Sequence, residues 1–168
     1  MKIKEIFKIL FVFLIFFVIG LLYSQYRSPL TYQPVSFPHK KHIEQGLECN
    51  FCHKGVLTER YARFPLKEVC SECHSEPLTK SKREKKLLEY ISSEGEIPWQ
   101  KILRMPEDVY FSHKTHTVFG EIQCSDCHGK IFKKNSPPLK PIKRMRMKDC
   151  ISCHTKKMVT VSCEACHR

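Results

Sequence analysis

The sequence has no cysteine outside one repeated motif. All ten cysteines fall in five copies of one motif, Cys-x-x-Cys-His, which leaves no separate cysteine to carry a lipid anchor. Acidic residues are also scarce, with 17 Asp and Glu against 29 Lys and Arg. The basic excess belongs to no recognisable nucleic-acid-binding module, so the composition argues against a nucleic-acid-binding protein.

The five motifs carry the strongest chemical signal in the chain. Zinc ribbons, redox dithiols and disulfides can all use Cys-x-x-Cys, but none of them requires a histidine at the next position. Covalent haem attachment does, because the two thiols add to the porphyrin vinyl groups and the adjacent histidine then binds iron. The sequence therefore predicts five covalently bound c-type haems, with zinc as the main alternative. The predicted attachment and iron-binding residues are Cys49, Cys52 and His53; Cys70, Cys73 and His74; Cys124, Cys127 and His128; Cys150, Cys153 and His154; and Cys163, Cys166 and His167.

Five haems would dominate the interior of a chain of 168 residues. About 30 residues would then surround each large apolar porphyrin, so we expect a mainly α and irregular fold with a haem core and little regular structure. Residues 82–90 predict a helix whose small apolar face is formed by Leu87, Leu88 and Ile91.

The N-terminus predicts a membrane segment. Lysines at positions 2, 4 and 8 precede an unbroken apolar run over residues 9–23, and no Ala-x-Ala-like cleavage site follows it. We therefore expect residues 1–26 to form a retained single-pass anchor, with a cleaved signal peptide as the alternative. Because basic residues stay on the cytoplasmic side, the rest of the chain is predicted to lie on the periplasmic face of the bacterial inner membrane.

A second repeat, Phe-x-His-Lys-x-His, lies upstream of two of the haem motifs, in SFPHKKHIEQGLEC and YFSHKTHTVFGEIQC. Its histidines are His39 and His42 in the first copy and His113 and His116 in the second, and they complete the nine histidines of the chain. Residues three apart on a helical turn share a face yet diverge enough to reach two different haems. The repeat predicts distal iron ligands, whereas an isolated histidine would more simply lie at the surface.

Together these motifs resemble the class III, cytochrome c7-like, multihaem periplasmic cytochromes over residues 37–168. The resemblance implies that the first histidine of each pair binds the haem attached just downstream, so His39 would face His53 and His113 would face His128. It leaves open which haems His42 and His116 bind. The implied domains are a membrane anchor (1–26), a dihaem module (35–76), a helical basic connector (77–108) and a trihaem module (109–168).

The segments IPWQKILRMPEDVYFSHKTH and MRMKDCISCH are similar to multihaem subunits of membrane quinol oxidoreductases, including the pentahaem subunit of alternative complex III. This resemblance implies electron transfer between the quinone pool, or a quinol-oxidising membrane complex, and periplasmic redox proteins. The runner-up is the membrane-anchored quinol dehydrogenase family with one helix and four haems, whose members lack the duplicated Phe-x-His-x-x-His.

Five haems need five distal ligands, but four histidines are available. A methionine thioether can bind haem iron, and Met147 and Met145, close to Cys150, are the candidates in the trihaem module. The alternative is an open iron, which would make the chain a reductase of a small nitrogen or other oxyanion substrate. No lysine replaces a motif histidine, and electron transfer requires no catalytic base or nucleophile, so an electron-transfer protein is the prediction.

Overall fold

The computed structural model describes residues 3–26 and 30–167, and the side chains of residues 24–26 are not described. Met1, Lys2 and Arg168, which belong to the predicted anchor and trihaem module, lie outside the described residues. The chain divides into two compact units, residues 1–30 and residues 31–168.

The described part of the first unit consists mainly of one helix, α1 (Ile3–Tyr26), of 24 residues. At a rise of about 1.5 Å per residue it is about 36 Å long, which exceeds the roughly 30 Å hydrocarbon layer of a bilayer. Its large apolar side chains are exposed all around, and Lys8 pairs with Glu5 at 3.0 Å near its start. Residues 3–23 are long and apolar enough to cross a membrane, a test that a signal sequence would also pass.

The second unit consists of short helical segments joined by irregular chain. They are α2 (His39–Glu44), α3 (Cys49–Cys52), α4 (Lys67–Ser71), α5 (Lys82–Ser92), a π-helical turn (Thr115–Phe119), α6 (Cys124–His128), a 3₁₀ turn (Ile131–Lys133), α7 (Met147–Lys156) and α8 (Cys163–Cys166). Among the described residues there is no β-strand, only one isolated antiparallel bridge between Val109 and His167. The expectation of a mainly α and irregular fold is confirmed.

Few side chains pack into a conventional core. The buried apolar residues of the described chain are Val35, Val56, Leu87 and Ile97. Three of them, Val35, Leu87 and Ile97, form one cluster, against which Cys70 and Trp99 pack. Most of the second unit therefore lacks the apolar interior that protein side chains alone would have to provide.

Helix α5 is the longest element of the second unit. Ser81 caps it by accepting a hydrogen bond from the backbone N–H of Glu84 at 3.2 Å, and the chain leaves it through Gly95, whose φ is 83°. Leu87 is buried, and Leu88 and Ile91 are half-buried, so the apolar face lies where the sequence predicts it. Through this face α5 packs against α4, the helix that carries Cys70.

Candidate haem sites

Each Cys-x-x-Cys-His motif, numbered 1 to 5 in chain order, lies on or at the end of a short helical turn. The two cysteines of motif 1 begin and end α3, and those of motif 5 begin and end α8. Residues three apart on a helix share one side, so the two thiols of a motif can face the same porphyrin edge. None of the ten cysteines, all of which lie in the described residues, forms a disulfide.

Four of the five motif histidines are oriented by hydrogen bonds at Nδ1. Backbone carbonyl oxygens accept from His53 and His154, at 3.1 Å from Arg63 and 2.7 Å from Thr160. His74 and His167 instead face carboxylates. A partner at Nδ1 fixes the imidazole tautomer that leaves Nε2 with a lone pair for a metal ion.

The two Phe-x-His-Lys-x-His repeats have nearly the same local geometry. Phe37 lies edge-on to His39, with ring centres 4.8 Å apart and planes at 85°, and stacks on His42 at 4.2 Å and 28°. Phe111 does the same in the second copy, at 4.9 Å and 84° to His113 and at 4.7 Å and 29° to His116. The phenylalanine of the repeat therefore fixes the divergence of its two imidazoles.

Three of these four histidines face a motif histidine at a nearly constant distance. Ring centres are 6.3 Å apart for His42 and His74, 6.3 Å for His113 and His128, and 6.1 Å for His116 and His154. The interplanar angles are 47°, 5° and 38°, respectively. The distance between ring centres is thus nearly constant while the angle between ring planes varies. Direct stacking of two rings would instead favour particular combinations of distance and angle.

This separation fits two imidazoles on opposite sides of one metal ion. A metal–nitrogen bond of about 2 Å on each side, with about 1.1 Å from each nitrogen to its ring centre, separates the centres by about 6.2 Å and leaves rotation free. A structural zinc site would need three or four converging ligands. No such group of His, Cys, Asp and Glu occurs in residues 3–26 or 30–167.

The fourth repeat histidine, His39, lies near the motif 1 histidine, His53. Burial, then the neighbouring His53 and His42, lower the pKa of His39 to about 4. Its Nδ1 is buried without a hydrogen-bond partner. Burial also lowers the pKa of His113, whose ring Nδ1 lies 3.2 Å from the Arg60 carbonyl oxygen. Both imidazoles are therefore held neutral, which is the form that binds a metal ion.

Motifs 2, 1 and 3 are neighbours in space. Burial raises the pKa of Cys70 in motif 2, and the neighbouring Cys52 thiol of motif 1 is the next largest cause. Together with smaller effects they bring this pKa to about 11. On the other side of motif 1, burial and then the neighbouring Cys124 thiol of motif 3 raise the pKa of Cys49. His53 is also close to both imidazoles of the His113–His128 pair.

The remaining motifs continue the series. Cys127 of motif 3 is near Cys153 and Cys150 of motif 4. Cys150 in turn is near Cys166 of motif 5. These neighbours connect the motifs in the order 2, 1, 3, 4, 5, which differs from their order in the sequence only at the first two positions.

Motif 5 has no histidine opposite it. The other eight histidines fall into four pairs or neighbours, whereas His167 has its Nδ1 at 3.0 Å from an oxygen of Asp108. Of the two candidate methionine ligands, Met145 is half-buried and Met147, the first residue of α7, is 61% exposed. Ligation by either one stays a prediction.

Sequence reasoning missed the carboxylates of Glu84 and Asp108. Glu84 lies 2.9 Å from His74 Nδ1 through one of its oxygens, although it belongs to a segment whose charges look solvated in the sequence. The pattern Ser81-x-x-Glu84 is a helix-start signal and would have marked the N-terminus of α5. It gives no indication of a histidine, because that contact depends on how α5 packs against α4.

Paired imidazoles beside thiol pairs, with few buried side chains between them, define a multihaem c-type cytochrome. Comparison with known families agrees: the model of the family described as cytochrome c3 matches residues 41–136, and that of cytochrome c7 and related cytochrome c matches residues 109–168. The chain belongs to the cytochrome c3 family of class III multihaem cytochromes, whose haem is bound covalently.

One similar curated protein is the menaquinone reductase, multiheme cytochrome c subunit, of Nitratidesulfovibrio vulgaris. The two are 36% identical over 110 residues, which is 64% of this chain and 49% of the relative. The chain thus spans about half the length of the curated relative it matches.

Proposed function

We propose that the protein is a membrane-anchored pentahaem cytochrome that transfers electrons between the quinone pool, or a quinol-oxidising membrane complex, and periplasmic redox partners. The observation that carries the proposal is the set of three imidazole pairs with ring centres 6.1–6.3 Å apart. Saturating an iron with two imidazoles leaves no position for a substrate, which suits electron transfer rather than catalysis.

When bound, haem supplies a one-electron ferric/ferrous couple at each motif. The role of the polypeptide is to hold these couples close together. The neighbouring motifs support a single series of haems along which electrons could pass. His39 and His42, three residues apart on α2, link motifs 1 and 2, and His113 and His116 link motifs 3 and 4. The neighbours Cys49 and Cys124 connect motif 1 with motif 3, and the neighbours Cys150 and Cys166 connect motif 4 with motif 5.

The connection between motifs 1 and 3 is rigidly built. The carbonyl oxygen of Arg60 accepts a hydrogen bond from the backbone N–H of His113 at 2.9 Å. The Arg60 guanidinium donates to the carbonyl oxygens of Phe111 at 2.8 Å and Val109 at 3.3 Å. Thr117 Oγ1 donates to the Val56 carbonyl oxygen at 3.1 Å. These contacts hold the first imidazole of the second repeat against the loop that follows motif 1, as transfer along one row requires.

The proposal of a quinone-linked partner is supported by two features. Helix α1 is long enough to hold the protein at a membrane. The relative from Nitratidesulfovibrio vulgaris is named as a subunit of a menaquinone reductase. We extend that role to this chain as a subunit that exchanges electrons with a quinone-active membrane partner.

The basic surface adds a feature for partner recognition. Ferric haem carries a net charge of about −1 once its two propionates are counted, so five haems offset part of the formal +12 of the chain. Exposed Lys and Arg side chains remain between motifs 3 and 4, at residues 133, 134, 140, 143, 144, 146 and 148. They suit an acidic redox partner or anionic lipid headgroups, and a plain solvated surface is the alternative.

A second candidate function rests on motif 5. If the iron bound by His167 has no distal ligand, the protein could reduce a small nitrogen or other oxyanion substrate there. A high-spin ferric signal in the intact protein, together with turnover of such a substrate, would favour this function.

The decisive experiment is purification from detergent-solubilised membranes without crosslinking. We expect a quinone-binding subunit to co-purify, and the haems of the complex to be reduced when a quinol is added. Recovery as a soluble monomer trimmed of α1 would contradict the anchored-subunit proposal. A matched control is the same protein expressed from residue 31 behind a cleavable secretion signal, which should mature with haem but lose the membrane partner.

A further inference from the structure

The Nδ1 partners of four motif histidines are of two kinds. His53 and His154 donate to neutral backbone carbonyls, whereas His74 and His167 face the carboxylates of Glu84 and Asp108. His74 and His167 belong to motifs 2 and 5, which come first and last when the motifs are ordered by their neighbours.

The two carboxylates differ in their exposure to water. Glu84 is the one charged residue that is buried in the part of the chain the structure describes, with 7% of its surface exposed. The side chain of Asp108 is 61% exposed. Water and salt screen a charge at Asp108 far more than one at Glu84, so the buried carboxylate acts more strongly on its histidine.

Glu84 is also held firmly as an anion. One oxygen faces His74 Nδ1 at 2.9 Å and accepts from the Leu78 backbone N–H at 2.8 Å. The other accepts from the backbone N–H of Thr79 at 2.6 Å and from its hydroxyl at 2.5 Å. With donors on every other side, the carboxylate has His74 as a fixed partner.

The local sequence explains this placement. Ser81 starts α5, and Glu84 lies in its first turn, three residues before Leu87 and on the same face. Leu87 packs in the cluster with Val35 and Ile97 that also contacts Cys70 of motif 2. Packing of α5 on α4 therefore brings Glu84 to the histidine of motif 2.

We propose that Glu84 is a positioning residue that orients His74 and lowers the midpoint potential of the iron bound there. The inference rests on the proposed function, because it requires His74 to be a haem ligand. A carboxylate that accepts the Nδ1 proton makes the imidazole a stronger electron donor, which stabilises ferric over ferrous iron. A buried negative charge beside the ligand acts in the same direction.

The test is a potentiometric titration of the full haem-loaded protein, followed by optical and electron paramagnetic resonance spectra. In Glu84→Gln, we expect one of the midpoint potentials to rise and the others to stay unchanged. A tenfold change in that reduction equilibrium corresponds to a shift of about 59 mV for one electron. The His42→Ala variant identifies the affected signal, because removing the imidazole opposite His74 should convert that iron alone from low-spin to high-spin.

Two controls separate this effect from a change in charge or stability. Glu89→Gln removes the same charge from the same helix, at an exposed residue that pairs with Lys86 at 3.1 Å, and should leave every potential unchanged. Asp108→Asn removes the exposed carboxylate from His167 and should give a smaller rise at a different haem. Glu84→Asp keeps the charge but draws it back from His74, so an intermediate rise is expected. This last variant decides the matter if Glu84→Gln does not mature with haem.

The outcomes distinguish the role of Glu84 from the haem ligation on which it depends. Unchanged potentials in Glu84→Gln and Glu84→Asp, with the low-spin signals retained, would overturn the role of Glu84 and leave the proposed function standing. An equal rise of the midpoint potential in Glu89→Gln would also overturn the role of Glu84. Loss of a negative charge anywhere on α5 would then be enough to cause the rise. If His42→Ala left every low-spin signal in place, the ligation underlying the proposed function would itself be wrong.

Discussion

His113 and His128 lie with their imidazole planes 5° apart and their ring centres 6.3 Å apart, although 15 positions separate them in the sequence. The other two measured pairs have similar separations but are tilted by 47° and 38°. The near-parallel pair should therefore be distinguishable by spectroscopy if each pair binds one iron.

We predict that His113→Ala removes the most rhombic low-spin signal in the electron paramagnetic resonance spectrum of the ferric protein. Parallel axial imidazoles split the iron orbitals more than tilted ones, so this pair should give the most rhombic signal of the three. His116→Ala should instead remove a signal from a tilted pair and serves as the matched control. Loss of the same signal in both variants would contradict the separate pairings.

Some features of the haem sites could be predicted from the sequence, whereas others depend on how the chain packs in three dimensions. Motif spacing is a covalent property, so the haem class follows from the sequence alone, and the family comparison confirms it. The resemblance also predicted His39 beside His53 and His113 beside His128, and these residues are neighbours in the structure. The partners of His42 and His116 could not be predicted, because they depend on where motifs 2 and 4 lie in three dimensions. The contact of Glu84 with His74 depends in the same way on helix packing.

Gly129, which directly follows His128, should be intolerant of a side chain. Its φ is 68°, and a Cβ there would lie 2.8 Å from Ile142 Cγ2. Gly46→Ala is a matched control, because that glycine has a similar φ of 83° but open space around it. A side chain at a positive φ is strained in both variants, by on the order of 1–3 kcal/mol. The ψ of −167° at Gly129 adds to this, because glycine almost alone occupies that region. Gly129→Ala should unfold at a lower temperature than Gly46→Ala, and equal unfolding temperatures would exclude the Ile142 contact as a cause.

We predict that all five motifs carry haem. The complete use of ten cysteines in five motifs motivates this count. The intact mass of protein matured by a competent host should exceed the polypeptide mass by five haems. A mass lower by one haem would show an empty motif, and Cys-to-Ala variants of each motif in turn would identify it.

The N-terminal helix is predicted to be retained in the mature protein. No Ala-x-Ala-like site follows the apolar run, where the sequence has Leu21, Leu22 and Tyr23, and α1 extends to Tyr26. Mass spectrometry of the purified protein should find a peptide that spans α1 and the following residues. A mature N-terminus near Ser24 would instead identify the segment as a cleaved signal peptide.

The last prediction concerns the iron of motif 5, since His167 is the one histidine with neither a facing nor a neighbouring repeat histidine among the described residues. We expect a methionine to complete the coordination of this iron, with Met147 and Met145 as the candidates. Thioether binding would stabilise ferrous iron and give a low-spin signal distinct from that of paired histidines. Magnetic circular dichroism should show this signal in the unmodified protein, and one of Met147→Ala and Met145→Ala should abolish it. Met158→Ala is the control, because that side chain is 92% exposed. Identical spectra in all three variants would remove both methionines from the site, and a high-spin signal in the unmodified protein would favour the alternative function as a reductase.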